Sequence, residues 1–331
     1  MIAQISAYMA DSQAPKAAAR ASRVIVERET AGVGAGDAGI PVRIEQARLE
    51  GALAKLEMAW VYGRDHHRLL VNAQGGAVRE QFVLHELEHL VLAEAARAAG
   101  TNRWFTSNAE ADAVARRAID GDLDRLRRRG VRGDDLERFV GSLLNGLRSQ
   151  LFNFPIDLLI ESRLFDANAD CRELQYQSIR QQVETGVRIA EDATVRSSTP
   201  TKIFRASVGM NVALALWLED RFPRRTDFLA RFKQSDAFAT GQQLYAHWRT
   251  AAPTWTPGAE YGWVDTWAEI LGLRNWYGWL AGNAGTDRPP RPEPRAGEQG
   301  TAPGADPLSV AQEAAVTMYM LAAMEWGMSR G

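Results

Sequence analysis

Residues 81–92 read QFVLHELEHLVL, and at their centre lies the pattern H-E-x-x-H, which runs from His85 to His89. On an α-helix, residues four apart lie about 40° apart around the axis, so the two imidazoles project from one face and can bind a single Zn²⁺. Glu86 flanks the pair, where a carboxylate can take a proton from a metal-bound water. The pattern predicts a metal-dependent hydrolase with His85 and His89 as zinc ligands and Glu86 as general base.

The residues around this pattern predict an amphipathic helix over residues 78–98. Its apolar back consists of Val83, Leu84, Leu87, Leu90 and Val91. One side of such a helix is buried in a core while the other faces a cleft. Glu88 lies on the opposite side of the histidine pair from Glu86, so we expect it to support a ligand or to face solvent.

Composition and charge restrict the class of protein. The chain has 331 residues, of which 46% are hydrophobic and 24% are charged, and its net charge of −2 does not favour binding to nucleic acid or to an anionic membrane. Cys171 is the only cysteine, which excludes an intramolecular disulfide and is typical of a reducing compartment. The sequence has no signal peptide pattern and no apolar stretch of about 18 residues. We therefore expect a cytoplasmic protein.

The chain divides by composition into five parts. Residues 1–39 predict a helix and a glycine-rich linker, and residues 40–171 form the predicted core that carries the motif. Residues 172–281 predict a helical extension, 282–307 a Pro/Gly-rich linker, and 308–331 an amphipathic C-terminal helix. The expected fold class is α+β and mostly α, with a small sheet and the motif helix followed by the large helical extension.

Strands are predicted at residues 40–44, 53–62 and 68–72, before the motif helix. His66 and His67 fall in a predicted turn, where we expect them to be solvated. Beyond residue 100 the pattern is helical. Helices are predicted over residues 108–120, 134–151, 155–165, 174–193, 200–219, 225–233, 242–249 and 265–279.

A catalytic zinc site normally has three protein ligands, so a third ligand is needed downstream. Asp157 and Glu161 are four residues apart and would lie on one helical face among apolar residues. Carboxylates in such surroundings need a partner. We expect Glu161 to bind the metal and Asp157 to accept a hydrogen bond from a ligand imidazole. The alternative is that the pair binds Arg163 or a helix N-terminus.

Other candidates come from elsewhere in the chain. Glu110 and Asp112 are alternative metal ligands, as is Asp157. Glu110 and Asp112 point roughly 200° apart on a helix, so at most one of these two would face the metal. A tetrahedral oxyanion needs a further hydrogen-bond donor. His247, Tyr261 and Arg163 are the candidates for that donor, and the sequence does not rank them.

Val71-Asn72, followed by REQFVLHELEH at residues 79–89, resembles the ImmA/IrrE-type zinc metallopeptidases. That family carries a strand ending in Asn and then an Arg-x-x-Phe-x-x-His-Glu-x-x-His helix. The resemblance covers roughly residues 40–165. It implies a gluzincin-like fold with one catalytic Zn²⁺, the histidines of the motif as ligands and Glu86 as general base.

The resemblance is incomplete at the third ligand. Residues 110–115 look like the helix that bears this ligand in the family, but the ligand position falls on Asn108, which is a poor zinc ligand. Residues 153–161 are instead similar to a downstream signature of some bacterial gluzincin-like proteins. This similarity favours Glu161 as the third ligand.

These patterns predict a zinc-dependent metallopeptidase, a regulated intracellular protease that cleaves a peptide or protein substrate. Hydrolysis of a non-peptide amide would use the same residues. The alternative is a zinc-stabilised binding or regulatory module that is catalytically silent or needs a trigger, which Glu88, Asn108 and the helical extension favour. The extension or the C-terminal helix is then the expected contact for a regulatory protein partner.

Overall fold

The computed structural model describes residues 40–47, 49, 54–72, 79–128, 130 and 133–282. The helix and linker predicted in residues 1–39, nearly all of the linker predicted at 282–307 and the C-terminal helix predicted at 308–331 lie outside these residues. The described part is mostly helical with a small sheet, which confirms the α+β, mostly α class. None of its helices is long and apolar enough to cross a membrane.

The secondary structure alternates briefly between strands and helices and then becomes helical. The strands are β1 Val42–Ala47, β2 Ala54–Glu57, β3 His67–Asn72, β4 Arg103–Thr106 and β5 Gly278–Ala281. The helices are α1 Ala59–Tyr62, α2 Arg79–Ala98, α3 Ala109–Ala118, α4 Asp120–Arg128, α5 Gly133–Ala167, α6 Arg172–Glu191, α7 Ala193–Ser198, α8 Thr201–Arg221, α9 Phe228–Phe232, α10 Phe238–Ala251 and α11 Ala259–Leu271.

The described residues form two compact units. The first contains residues 40–104, 159–179 and 280–282, and the second contains 105–158 and 180–279. Helix α5 belongs to both units, because the boundary falls inside this helix after residue 158.

The sheet of the first unit has the strand order β1-β3-β2, with β1 parallel and β2 antiparallel to β3. Leu56 of β2 lies opposite Leu69 of β3, and both are fully buried. Helix α2 packs against β2 and β3. The aliphatic side chains of these strands therefore form the core on which the H-E-x-x-H helix is fixed.

The predicted apolar back of α2 is confirmed at four of its five positions. Val83, Leu84, Leu87 and Leu90 are buried, whereas Val91 is half-buried. Burial of these side chains sets the rotation of α2, and this rotation decides where the motif histidines point.

Residues 134–165 form one helix rather than the two that were predicted. Helix α5 has 35 residues, and Pro155 lies inside it instead of in a first turn. Proline has no N–H, so the bond to the carbonyl of Leu151 is absent, but the bonds on either side continue the helix. The neighbouring Phe152 and Ile156 are buried, and their packing offsets the loss.

The strand predicted at residues 53–62 is shorter than expected. β2 ends at Glu57, and the following residues form the short helix α1, which Gly63 ends in the left-handed conformation with φ 66°. The predicted helix at 265–279 is also wrong in its second half. Gly272 ends α11 at φ 66°, so Trp279 lies in β5.

His67 is fully buried, so the expectation that it is solvated is wrong. It is the first residue of β3, and its Nδ1 accepts a hydrogen bond from the backbone N–H of Ala59 at 3.1 Å. Its Nε2 lies 3.6 Å from a carboxylate oxygen of Glu94 on α2. The strand begins one residue earlier than predicted, which brings this side chain into the core.

In the second unit, helices α8 and α10 approach each other closely at Gly241. A Cβ atom at this position would lie 2.4 Å from the Cβ of Val212 and 2.6 Å from the carbonyl oxygen of Gly209. Since no side chain fits into this space, glycine permits the close packing of the two helices.

Candidate metal centre

His85 and His89 lie one turn apart on α2, as the motif predicts. Their ring centroids are 4.9 Å apart with an interplanar angle of 72°. His89 is 1% exposed, and the side chain of His85 is 14% exposed. The pair is therefore largely shielded from water, which strengthens the electrostatic interactions of any ion bound there.

Asp157 is the carboxylate that forms a potential metal-binding group with this pair. One ligand atom from each of His85, His89 and Asp157 lies within 4.8 Å of the others, and this is the one group of potential metal ligands found among the residues that the structure describes. A tetrahedral zinc ion with bonds of about 2.0–2.1 Å holds its ligand atoms about 3.3 Å apart. Small side-chain rotations would therefore close the three groups on an ion.

Glu161 lies one turn after Asp157 on α5 and contacts a histidine of the pair. Its Oε1 is 2.8 Å from Nδ1 of His85, and the residue is 7% exposed. Because the carboxylate accepts this bond, the proton lies on Nδ1, and Nε2 then carries the lone pair that binds a metal. The geometry thus favours the opposite assignment to the expected one, with Asp157 in the ligand position and Glu161 as the acceptor.

Two buried glutamines hold the Glu161 carboxylate. Gln175 of α6 donates from Nε2 to Oε2 of Glu161 at 2.6 Å and to its backbone oxygen at 2.7 Å. Gln81 of α2 donates to the same Oε2 at 3.4 Å. Neither glutamine was identified from the sequence. Gln81 precedes His85 by four residues, so helical spacing places it on the same face, but no sequence signal points to Gln175.

Glu86 is 5% exposed and is oriented by the sheet. Its Oε2 accepts a hydrogen bond from the backbone N–H of Leu56 at 3.2 Å. β2 is at the edge of the sheet, and this N–H is directed towards α2 rather than towards β3. The edge strand therefore fixes the carboxylate that the motif identifies as the general base.

Glu88 forms an ion pair with Arg163. The Arg163 Nε lies 2.8 Å from Oε2 of Glu88, and the two side chains are 37% and 21% exposed. The sequence predicted Arg163 as an alternative partner of Asp157 and Glu161 or as an oxyanion donor. In the structure its guanidinium binds Glu88, the second glutamate of the motif.

The alternative ligands on α3 are not members of the group of three. Asn108 is the N-cap of α3, since its side chain accepts a hydrogen bond from the backbone N–H of Ala111 at 2.8 Å. Glu110 is exposed, and Asp112 forms an ion pair with Arg148 at 2.6 Å. These contacts give Asn108 and Asp112 a structural explanation.

The other predicted oxyanion donors belong to the second unit. Tyr261 of α11 is 4% exposed and packs edge to face on Trp279, with the ring centroids 5.5 Å apart. His247 of α10 is half-buried, and burial lowers its pKa below the ordinary value. Their assignment as oxyanion donors stays a prediction.

Compared with protein-family models, curated proteins and solved structures, the chain matches none. The resemblance to the ImmA/IrrE-type metallopeptidases therefore stays a prediction that depends on the residues of the motif.

Proposed function

We propose that the protein is a zinc-dependent peptidase whose metal is bound by His85, His89 and Asp157. The proximity of these three side chains on and beside the H-E-x-x-H helix is the observation that carries the proposal. Two nitrogen ligands and one carboxylate leave a fourth position of a tetrahedral ion for water or substrate, which is typical of catalytic zinc. A gluzincin-like core, with α2 packed against the edge strand β2, is part of the same proposal.

In this proposal Glu161 and Glu86 have different tasks. Glu161 accepts a hydrogen bond from Nδ1–H of His85, which leaves the lone pair of Nε2 available to bind an ion. A bound zinc ion supplies a water of lowered pKa and polarises the scissile carbonyl. The Glu86 carboxylate, oriented by the N–H of Leu56, takes the proton of the attacking water and passes it to the leaving amine.

The substitution Glu86→Gln tests this mechanism because it removes the base and keeps the size of the side chain. Incubation of the protein with a peptide library, with and without a chelator, measures cleavage, and metal analysis measures bound zinc. We expect zinc to remain bound in E86Q while cleavage falls by about 10²-fold or more.

Glu88→Gln is the matched control, because Glu88 is in the same motif but bonds to Arg163. E88Q should cleave at nearly the rate of the unchanged protein. Undiminished cleavage by E86Q, or cleavage that persists in chelator, would contradict the proposal.

A zinc-stabilised binding module is the second candidate, and the hydrogen bond from Leu56 to Glu86 favours it. A buried carboxylate that satisfies a backbone N–H at a sheet edge stabilises the fold whether or not catalysis occurs. This candidate predicts that the unchanged protein binds zinc and cleaves no peptide. It also predicts that Glu86→Leu, which leaves the Leu56 N–H without this acceptor, lowers the free energy of unfolding.

A further inference from the structure

We infer that Gln175 and Gln81 are positioning residues of the metal centre, which act through Glu161 on His85. This inference rests on the proposed zinc site. Neither amide is suggested as a metal ligand. Each donates a hydrogen bond to the carboxylate that in turn accepts a hydrogen bond from Nδ1–H of a ligand imidazole.

The hydrogen bonds divide the two oxygens of Glu161 between different tasks. Oε1 lies 2.8 Å from Nδ1 of His85, whereas Oε2 accepts from both amides, at 2.6 Å from Gln175 and 3.4 Å from Gln81. Rotation of the carboxylate is therefore opposed on one side while the other oxygen is presented to the imidazole. The shorter bonds to Gln175 identify it as the main restraint.

Gln175 also binds the backbone of the residue that it positions. Its Nε2 lies 2.7 Å from the backbone oxygen of Glu161 and 2.6 Å from the carboxylate, so one amide group donates to both. This pair of bonds fixes the side chain relative to its own helix. The rotamer of Glu161 is thereby restricted before any metal binds, and a preorganised acceptor lowers the entropy lost when the site is completed.

Burial makes these contacts strong and specific. Gln175 and Gln81 are 1% and 2% exposed, and Glu161 is 7% exposed. Water does not replace a lost donor easily in such surroundings, so removal of one amide leaves the carboxylate short of a partner. Loss of a hydrogen bond that supports a metal ligand typically weakens metal binding about 10- to 100-fold.

The location of Gln175 has a consequence for the extent of the site. It lies in the first turns of α6. The motif-bearing core predicted from the sequence ends at residue 171, so Gln175 lies outside that predicted core. Residues 159–179 nevertheless belong to the same compact unit as α2. The metal centre therefore depends on three helices, α2, α5 and the beginning of α6.

The experiment compares Gln175→Met with Gln177→Met. Methionine has a similar length and cannot donate a hydrogen bond. Gln177 lies on the same helix and also donates to a carboxylate, that of Glu173 at 2.8 Å. This bond is only part-buried, and its acceptor lies on α6 itself rather than on α5. The dissociation constant for zinc is measured for the full-length protein by competition with a chromophoric chelator. Thermal unfolding is recorded both with zinc and in excess chelator.

We expect Q175M to weaken zinc binding about 10- to 100-fold and Q177M to leave it within about twofold. Q81M should weaken zinc binding less than Q175M, because its bond is longer. The stabilisation that zinc adds to the thermal unfolding temperature should shrink in the same order. A residue with a purely structural role would lower the unfolding temperature in chelator without changing zinc affinity.

Each outcome has a distinct meaning. If Q175M binds zinc as tightly as the unchanged protein, the inference is overturned and the proposed function stays intact. The same holds if Q177M loses as much zinc affinity as Q175M. If Q175M does not fold, Q81M decides, and unchanged affinity in Q81M overturns the inference. If the unchanged protein binds no zinc, the proposed function itself fails.

Discussion

Two buried carboxylates, Glu161 in the first unit and Glu260 in the second, have opposite kinds of surroundings. Glu161 receives side-chain hydrogen bonds from residues 14, 76 and 80 positions away in the sequence. Glu260 receives one from Nε1 of Trp255, five positions away at 2.7 Å, and others from backbone N–H groups at the start of α11. One carboxylate joins three helices, and the other completes the end of its own helix.

The difference shows how a buried polar residue that organises a site is distinguished from one that only ends an element. Burial raises the pKa of Glu260, and its hydrogen bonds with Trp255 and the backbone offset this only partly. Its partners are local, so their arrangement follows from helix formation itself. The partners of Glu161 meet only when α2, α5 and α6 pack together. The hydrogen bonds of this carboxylate therefore depend on the packing of the three helices and also stabilise it.

The largest expected effect is on the free energy of unfolding, when Glu161 and Glu260 are replaced separately by alanine. In excess chelator, Glu161→Ala leaves three side-chain donors without their acceptor and should lower the free energy of unfolding by about 3 kcal/mol or more. Glu260→Ala frees one side-chain donor on the half-buried Trp255 and should lower it by about 1 kcal/mol. Urea denaturation followed by circular dichroism measures both. Equal losses would remove the distinction between the two residues.

A pH-dependent effect is expected for Glu260→Gln. The folded-state pKa of this group is raised above its usual 4.5, so the unfolded chain ionises first as the pH rises, and folding stability falls until the pH passes the folded-state pKa. Glutamine cannot ionise and still accepts a bond from Trp255. The stability of E260Q relative to the unchanged protein should therefore increase as the pH rises above the usual glutamate pKa of 4.5.

Urea denaturation of the two proteins at a series of pH values tests this expectation. The difference between them isolates Glu260 from the other titrating groups. A constant difference, or one that decreases as the pH rises, would show that Glu260 is not strained by its burial.

The smallest effect is expected for the ion pair of Glu88 and Arg163, which lies beside the metal motif but is partly exposed. A double-mutant cycle with E88A and R163A should give a coupling energy of about 0.2–1 kcal/mol. Zinc affinity should stay the same in both single variants, in contrast to Q175M. A tenfold loss of zinc affinity in either variant would extend the metal centre to this pair.

The sequence predicted the parts of the site that depend on a single helix. The four-residue spacing of His85 and His89 and the apolar back of α2 are properties of helical periodicity, so they required no tertiary information. The same reasoning placed Asp157 and Glu161 on one face of α5. It gave the metal to Glu161 and the hydrogen bond to Asp157, the reverse of the proposed site, because periodicity does not distinguish two carboxylates that are one turn apart.

The parts that the sequence missed depend on contacts between distant segments. Gln175 lies 14 residues after Glu161, with a helix end between them, so no periodicity connects the two. Pro155 was read as a helix start because propensity favours that position, but the buried residues on both sides maintain one continuous helix. His67 was assigned to a turn by its polar neighbours, although it begins β3 and its ring is buried against Ala59 and Trp60.

Gly282 is hydrogen-bonded to residues of the first unit, so a group attached after it is joined to that unit. Its N–H donates to the backbone oxygen of Asn102 at 2.8 Å, and its own oxygen accepts a bond from Nε1 of Trp104. A side chain would not fit there, since a Cβ atom would lie 2.3 Å from that same oxygen of Asn102. A label, affinity tag or fused reporter attached after this glycine would thus be tethered to the unit that holds α2.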